Sequence, residues 1–276
     1  MRTAENYNQT IEFVDISEYA SLISDELTKI SEKWTIGTLY RMFIADALPL
    51  IEKVIYIDCD VLVNLDINEL WNIELEGNSL AGVHDEVCYK KNTFSARLLA
   101  IKLCGGNLKS YINAGVTIMN LHKIRKAGSF CNKSIKWFSR YAYLLFFPDQ
   151  EALNAIFIND IKFIDERFNL DILNRDISNS IFHMWRSKPW KEFTNAPHQI
   201  LYWDMYLRSA WGENITPHEL IEKLSIISGN MKHSSKQCLR RVAGAVWKRI
   251  TFREQRKIIM LILSDIIHRL KYKFSQ

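Results

Sequence analysis

Two aspartates separated by one residue, Asp58 and Asp60, interrupt the apolar run "VIYIDCDVLVN" at residues 54–64. Val54, Ile55, Tyr56 and Ile57 read as a buried strand, a setting in which an uncompensated carboxylate is costly. Residues two apart on a strand leave the same face, roughly 6–7 Å apart along the backbone. A divalent cation between them would gather both carboxylates and relieve their repulsion. Oxygen donors favour Mg²⁺ or Mn²⁺ over zinc. On this geometry Cys59 points to the opposite side and is read as packing. The competing explanation is structural: one aspartate caps the helix that follows in "VNLDINEL" and the other is solvated.

The elements that would position these residues follow from periodicity. "TIEFVDI" (10–16) alternates like a short strand, and 17–32 reads as a helix. A second helix fits "TIGTLYRMFIADAL" and stops at Pro49. The strand 54–60 comes next, then a short helix at "DINELWN", a strand at "LAGVHD" (80–85) and a loop up to Gly106. "YINAGVTIMNL" (111–121) is β-rich and runs into a helix from His122 to Tyr141. "PDQEALNAIF" opens a further helix, with apolar residues at helical spacing. "IKFID" and "SIFHMW" are two later strands. Alternating strands and helices predict an α/β fold with a mixed or parallel sheet flanked by helices. Ligands of such sheets sit at the carboxyl ends of strands, which is where Asp58 and Asp60 fall.

At 276 residues the chain can bury a full-sized core. The start, "MRTAENYNQT", is polar and does not read as a signal peptide. The apolar stretch "IIMLIL" is too short to span a bilayer. Five cysteines without a CxxC pair suit a reducing compartment better than a disulfide framework or a zinc site. Charge divides the chain. From Met231 onward there are 12 Lys and Arg against 2 Asp and Glu, net +10; the other 230 residues carry 24 against 29, net −5. The expected organisation is therefore a body at 1–230 and a basic tail at 231–276.

"YRMFIADALPLIEKVIYIDCDVLVNLDINELWN" resembles retaining glycosyltransferase family 8, in particular its bacterial lipopolysaccharide galactosyl- and glucosyltransferase branch. Members carry a Y-R-hydrophobic helix, a strand ending in D-x-D and a hydrophobic-Leu-Trp helix. The resemblance continues in order through "YINAGVTIMNLHKIRKAG", "FPDQEALNAIF" and "IFHMWRSKPW", covering residues 10 to about 210. It implies a fold like that of nucleotide-diphospho-sugar transferases of the GT-A type, with a mixed sheet flanked by helices. It also implies transfer of galactose or glucose from a UDP-sugar, with Mn²⁺ or Mg²⁺ on the diphosphate.

Carried over by position, the resemblance makes Asp58, Asp60 and His183 metal ligands. Lys188 becomes a cation for the leaving diphosphate, whose charge develops as the sugar bond breaks. Arg41 becomes a planar fork for phosphate. Asp85, Asn113, Asp149 and Gln150 would line the sugar pocket, with Asp149 and Gln150 the catalytic candidates. An amide is a poor nucleophile. The implied chemistry is therefore a front-face displacement in which the diphosphate helps deprotonate the acceptor and Gln150 steadies an oxocarbenium-like sugar.

Each residue also has a plainer explanation. His183 would be a packed or surface histidine, Lys188 a solvated lysine and Arg41 an exposed helical arginine. Asn113-Ala114-Gly115 would be a bulge, or small residues admitting a ligand. Asp149 would be an N-cap, Pro189 a turn former and Trp190 a core anchor.

The sequence departs from the family in two places. The glycine usual between the His and the Lys is replaced by Trp185, Arg186 and Ser187. The family's usual opening, a strand with A-x-D-x-N-Y, its helix and a second strand, has no counterpart ahead of Thr10. On that ground a truncated enzyme is expected, with reduced activity. The alternatives are a catalytically impaired, membrane-associated remnant and a haloacid-dehalogenase-type phosphatase, which also begins on a strand ending in D-x-D. In the tail, Leu, Ile, Val, Trp and Phe recur at helical spacing among Lys and Arg. That pattern reads as an amphipathic anchor on anionic lipid, or else as a helix packed on the body. Its aromatics do not form a stacking platform for nucleic acid. The expected setting is cytoplasmic and peripheral, at the inner face of the plasma membrane, with an oligosaccharide or lipid-linked acceptor.

Overall fold

A computed structural model describes residues 2–22, 36–85, 101, 105–141, 145–171, 176–191, 196–213, 215 and 219. The basic tail at 231–276, the boundary near residue 230 and most of the helix expected over 17–32 lie outside these residues. The chain divides into two compact units. One comprises Glu12–Asp171 with Ile177–His183; the other comprises Met1–Ile11, Ile172–Asp176 and Met184–Gln276.

The first unit begins with α2 (Ser17–Ala20), α1 being Arg2–Asn6 of the other unit. The expected helix around Arg41 winds as a 3-10 helix over Ile36–Phe43 before becoming α3 (Ile44–Ala47). β-Branched Ile36 and Thr38 and the intervening Gly37 are poor α-formers, in keeping with the tighter winding. Next come β1 (Lys53–Ile57), β2 (Val61–Asn64), α4 (Ile67–Trp71), β3 (Leu80–His84) and β4 (Ile112–Asn120). They are followed by α5 (Leu121–Lys126), α6 (Phe130–Tyr141), α7 (Pro148–Ile156), β5 (Ile161–Phe163) and β6 (Ser180–His183).

The main sheet is mixed, in the order β1-β4-β3-β5; only the β3–β5 pair is parallel. β2 leaves this sheet and pairs antiparallel with β6. Alternation along the strands builds a core on each face of the main sheet. Leu80, Met119 and Ala114 pack with Phe43, Phe130, Phe138 and Leu153 of the flanking helices. Ala81, Val83, Val116 and Ile118 pack with Leu70, Phe168 and Ile181.

Three expectations are corrected. Residues 10–16 form no strand: Phe13 is 79% exposed, and no described strand lies beside the segment. Alternation alone supplies no ladder partner. The helix expected from His122 to Tyr141 is two helices, broken at Gly128. That glycine has φ +102°, and its N–H donates to Arg125 O at 2.8 Å, a left-handed C-terminal cap. The strand expected over 54–60 ends at Ile57, so both aspartates sit in the connection between β1 and β2, with Asp60 in its turn.

The second unit contributes α8 (Pro197–Arg208) and α9 (Ala210–Glu213). Trp190 is not a core anchor; it is 40% exposed, with its ring 5.5 Å from that of Tyr202. No helix among the described residues is long and apolar enough to cross a membrane.

Candidate functional site

The turn after β1 and the end of β6 meet because of register. Ile57 pairs with Val116 of β4, and Asp58 N–H donates to Gly115 O at 2.8 Å. Val61, the residue after Asp60, pairs with His183. Two antiparallel ladders thus bring Asp58, Asp60 and His183 together, and one ligand atom from each lies within 4.8 Å of the others. His183 Nε2 stands 3.3 Å from Asp60 Oδ1 and 3.8 Å from Asp58 Oδ2. His183 and Asp60 are buried and Asp58 is partly so. Asp66, and not either of these two, caps α4 by accepting from Asn68 N–H. Cys59 is exposed, so it does not pack as expected.

The cluster fits a divalent cation. Two carboxylate oxygens and one imidazole nitrogen converge from different elements, and a cation would offset the repulsion of the two acids. The imidazole lies in a cradle made by Gly115. A Cβ there would stand 2.2 Å from His183 Cε1 and 2.4 Å from Nδ1. The small residue therefore admits the histidine ring.

Behind the cluster lies Arg41, which is buried and not an exposed helical residue. Its Nη2 donates to Asp58 Oδ1 at 2.5 Å and its Nη1 to Ala114 O at 2.6 Å, while Nε pairs with Asp149 Oδ2 at 2.9 Å. Burial disfavours the charged guanidinium, but Asp149 and Asp58 outweigh it and raise its pKa. Burial pushes the Asp149 carboxyl up, and Arg41 opposes that push. Asp149 is not the cap of α7, a position held by Phe147.

β4 runs past the end of β1, and side chains take over its backbone groups there. Gln150 Oε1 accepts from Ala114 N–H at 3.0 Å, and its Nε2 donates to Asp85 Oδ2 at 2.7 Å. One turn later on α7, Asn154 accepts from Ile112 N–H at 2.7 Å and donates to Ile112 O at 2.9 Å. Asn113 Oδ1 accepts from Gly115 N–H at 2.9 Å and from Asn169 at 2.8 Å. The structure thus joins Arg41, Asp58, Asp60, Asp85, Asn113, Asp149, Gln150 and His183 in one unit.

With this geometry in view, the comparisons decide the family. The description "Glycosyl transferase family 8" matches residues 2–196. The chain belongs to glycosyl transferase family 8. It is 32% identical over 173 residues to a putative glycosyltransferase of Haemophilus influenzae, covering 63% of this chain and 44% of the relative. It is 25% identical over 213 residues to a lipopolysaccharide 1,3-galactosyltransferase of Salmonella typhimurium, covering 69% and 61%. The chain thus spans less than two thirds of the length of either relative. A crystal structure of the galactosyltransferase LgtC with donor and acceptor sugar analogues matches with a TM-score of 0.60 at 24% identity, over 80% of this chain and 84% of that one. The shared fold is the mixed-sheet GT-A architecture. Family 8 membership sets aside the dehalogenase-type phosphatase.

Lys188 of this family 8 chain belongs to the second unit. It is half-buried, with Nζ 5.6 Å from the centre of the Trp190 ring. Its neighbour Ser187, where the chain departs from the family's glycine-bearing stretch, is buried. Ser187 Oγ lies 3.3 Å from His198 Nε2 and 3.2 Å from Gln199 Nε2, both on α8. Burial lowers the His198 pKa to about 4. Sequence reasoning missed Tyr56, Asn154, Asn169, His198 and Gln199. Two of them left a signal: Tyr56, two residues before Asp58, and Asn154, four residues after Gln150 and hence on the same helical face.

Proposed function

We propose that this chain transfers a hexose, galactose or glucose, with retention, from a UDP-sugar to an oligosaccharide or lipid-linked acceptor of lipopolysaccharide type. Asp58, Asp60 and His183 would hold the cation, Mn²⁺ or Mg²⁺. When bound, such an ion neutralises the diphosphate and stabilises the charge that the leaving group acquires. The observation that carries the reading is the convergence of Asp58 Oδ2, Asp60 Oδ1 and His183 Nε2 within 4.8 Å in a family 8 chain.

The residues around that cluster divide the remaining work. Asp85, Asn113, Asp149 and Gln150 offer short polar groups suited to sugar hydroxyls. Arg41 is spent on protein partners, so its part in donor binding is to neutralise Asp58 and Asp149 and hold both in place. Gln150, with oxygen and nitrogen both engaged, is fixed in orientation and suited to steadying positive charge on the sugar, not to nucleophilic attack. Lys188, which belongs to the other unit, is proposed as a cation for the departing diphosphate on the motif resemblance alone. The acceptor class is supported by the galactosyltransferase relative, and the membrane setting by the charge of residues 231–276.

Hydrolysis of UDP-galactose and UDP-glucose tests the reading. It should require Mn²⁺ or Mg²⁺ in the wild-type chain and fall to background in Asp60→Ala. Equal hydrolysis by both proteins, or hydrolysis indifferent to chelator, would refute it.

A further inference from the structure

The two oxygens of the Asp58 carboxylate meet different surroundings. Oδ1 accepts from the Tyr56 hydroxyl at 2.8 Å and from Arg41 Nη2 at 2.5 Å. Oδ2 faces His183 Nε2 across 3.8 Å. Two donors on one oxygen fix the plane of the carboxylate and leave the other oxygen directed at the cluster. Tyr56 can do this because it lies two residues before Asp58, whose N–H still bonds Gly115 O and so continues the β1–β4 ladder by one residue, leaving both side chains on the same side of the chain. Its ring also lies under the Arg41 guanidinium, 4.1 Å from carbon to centroid, which holds the second donor in place.

We propose that Tyr56 is a positioning residue for the cation: its hydroxyl, together with Arg41, occupies Asp58 Oδ1 and thereby presents Oδ2 as the metal-facing ligand beside Asp60 and His183. The inference rests on the metal-dependent reading above and deepens it. Groups that orient a ligand from behind typically alter metal affinity by about 10–100-fold when removed. A tyrosine that merely packed against the core would make no such difference once the protein had folded.

The test is Tyr56→Phe in the full chain, which keeps the ring under Arg41 and deletes only the hydroxyl. Mn²⁺ alone is titrated, free ion being read by electron paramagnetic resonance, and the unfolding midpoint is measured on the same samples. The expected result is Mn²⁺ binding weakened by about 10-fold or more in a protein that still unfolds cooperatively. Equal affinity in wild type and Tyr56→Phe overturns the inference and leaves the metal reading standing. Failure of the wild-type chain to bind Mn²⁺ overturns both. Tyr56→Leu, which removes ring and hydroxyl together, should bind at least as weakly as Tyr56→Phe; tighter binding by Tyr56→Leu would also overturn the inference.

Discussion

Gly115 is required for space and not for backbone freedom, because its φ lies outside the left-handed region. Gly115→Ala would drive the His183 imidazole out of its cradle. Mn²⁺ affinity, read by calorimetry, should fall by about 10-fold or more. The double variant Gly115→Ala/His183→Ala should bind no more weakly than His183→Ala alone, since both changes remove one ligand. Additive losses would mean that Gly115 acts otherwise. His198 makes a different prediction. Its folded pKa of about 4 lies below the ordinary value of 6.5, so between these pH values the unfolded chain binds more protons than the folded one. Stability should therefore decline as pH falls from about 6.5 to about 4. His198→Gln should flatten that part of a urea-denaturation profile measured against pH.

At the scale of elements, the site depends on α7 standing in for the strand that β1 does not continue. Asn154 satisfies both backbone groups of Ile112 and is itself buried. Asn154→Ala should cost about 1–3 kcal/mol for each polar group left without a partner, measured by urea denaturation. A loss within about 0.5 kcal/mol, typical of a surface substitution, would deny it that role. The helix itself was legible: Pro148 at its start and the apolar spacing of "PDQEALNAIF" mark it before any coordinates. What it touches was not. Periodicity reports neighbours three or four residues away, whereas Arg41 reaches Ala114 across 73 positions and Gln150 reaches Asp85 across 65. For the same reason residues 10–16 carry a strand's alternation without forming a strand. Cys59 was misjudged because strand geometry was carried two residues too far, into a turn where alternation no longer fixes the side-chain direction.

Over the whole molecule, the alternation of strands with helices and the Asp58–Asp60 pair could be read from the sequence because both are local patterns, whereas the choice of a mixed over a parallel sheet came from the family resemblance. His183 joined the aspartates only through the order of motifs that the family shares, since it lies 123 positions after Asp60. The tail at 231–276 belongs to this scale as well, with its net charge of +10 set against −5 elsewhere. If it is a membrane anchor, the full chain should sediment with vesicles containing phosphatidylserine and be released by salt. Replacing four of its lysines and arginines by glutamine should weaken binding by about 1 kcal/mol for each charge removed. Binding unchanged by salt and by these substitutions would count against an electrostatic anchor.

In the proposed site, one cation is held jointly by two acids between β1 and β2 and an imidazole from a distant strand. A crystal of the full chain grown with Mn²⁺ and UDP, with data collected for anomalous scattering, tests it most directly. A single manganese peak should stand at coordinating distance, about 2 Å, from Asp58 Oδ2, Asp60 Oδ1 and His183 Nε2, with the diphosphate beside it. Manganese bound elsewhere, or a His183 ring turned away from the metal, would contradict it.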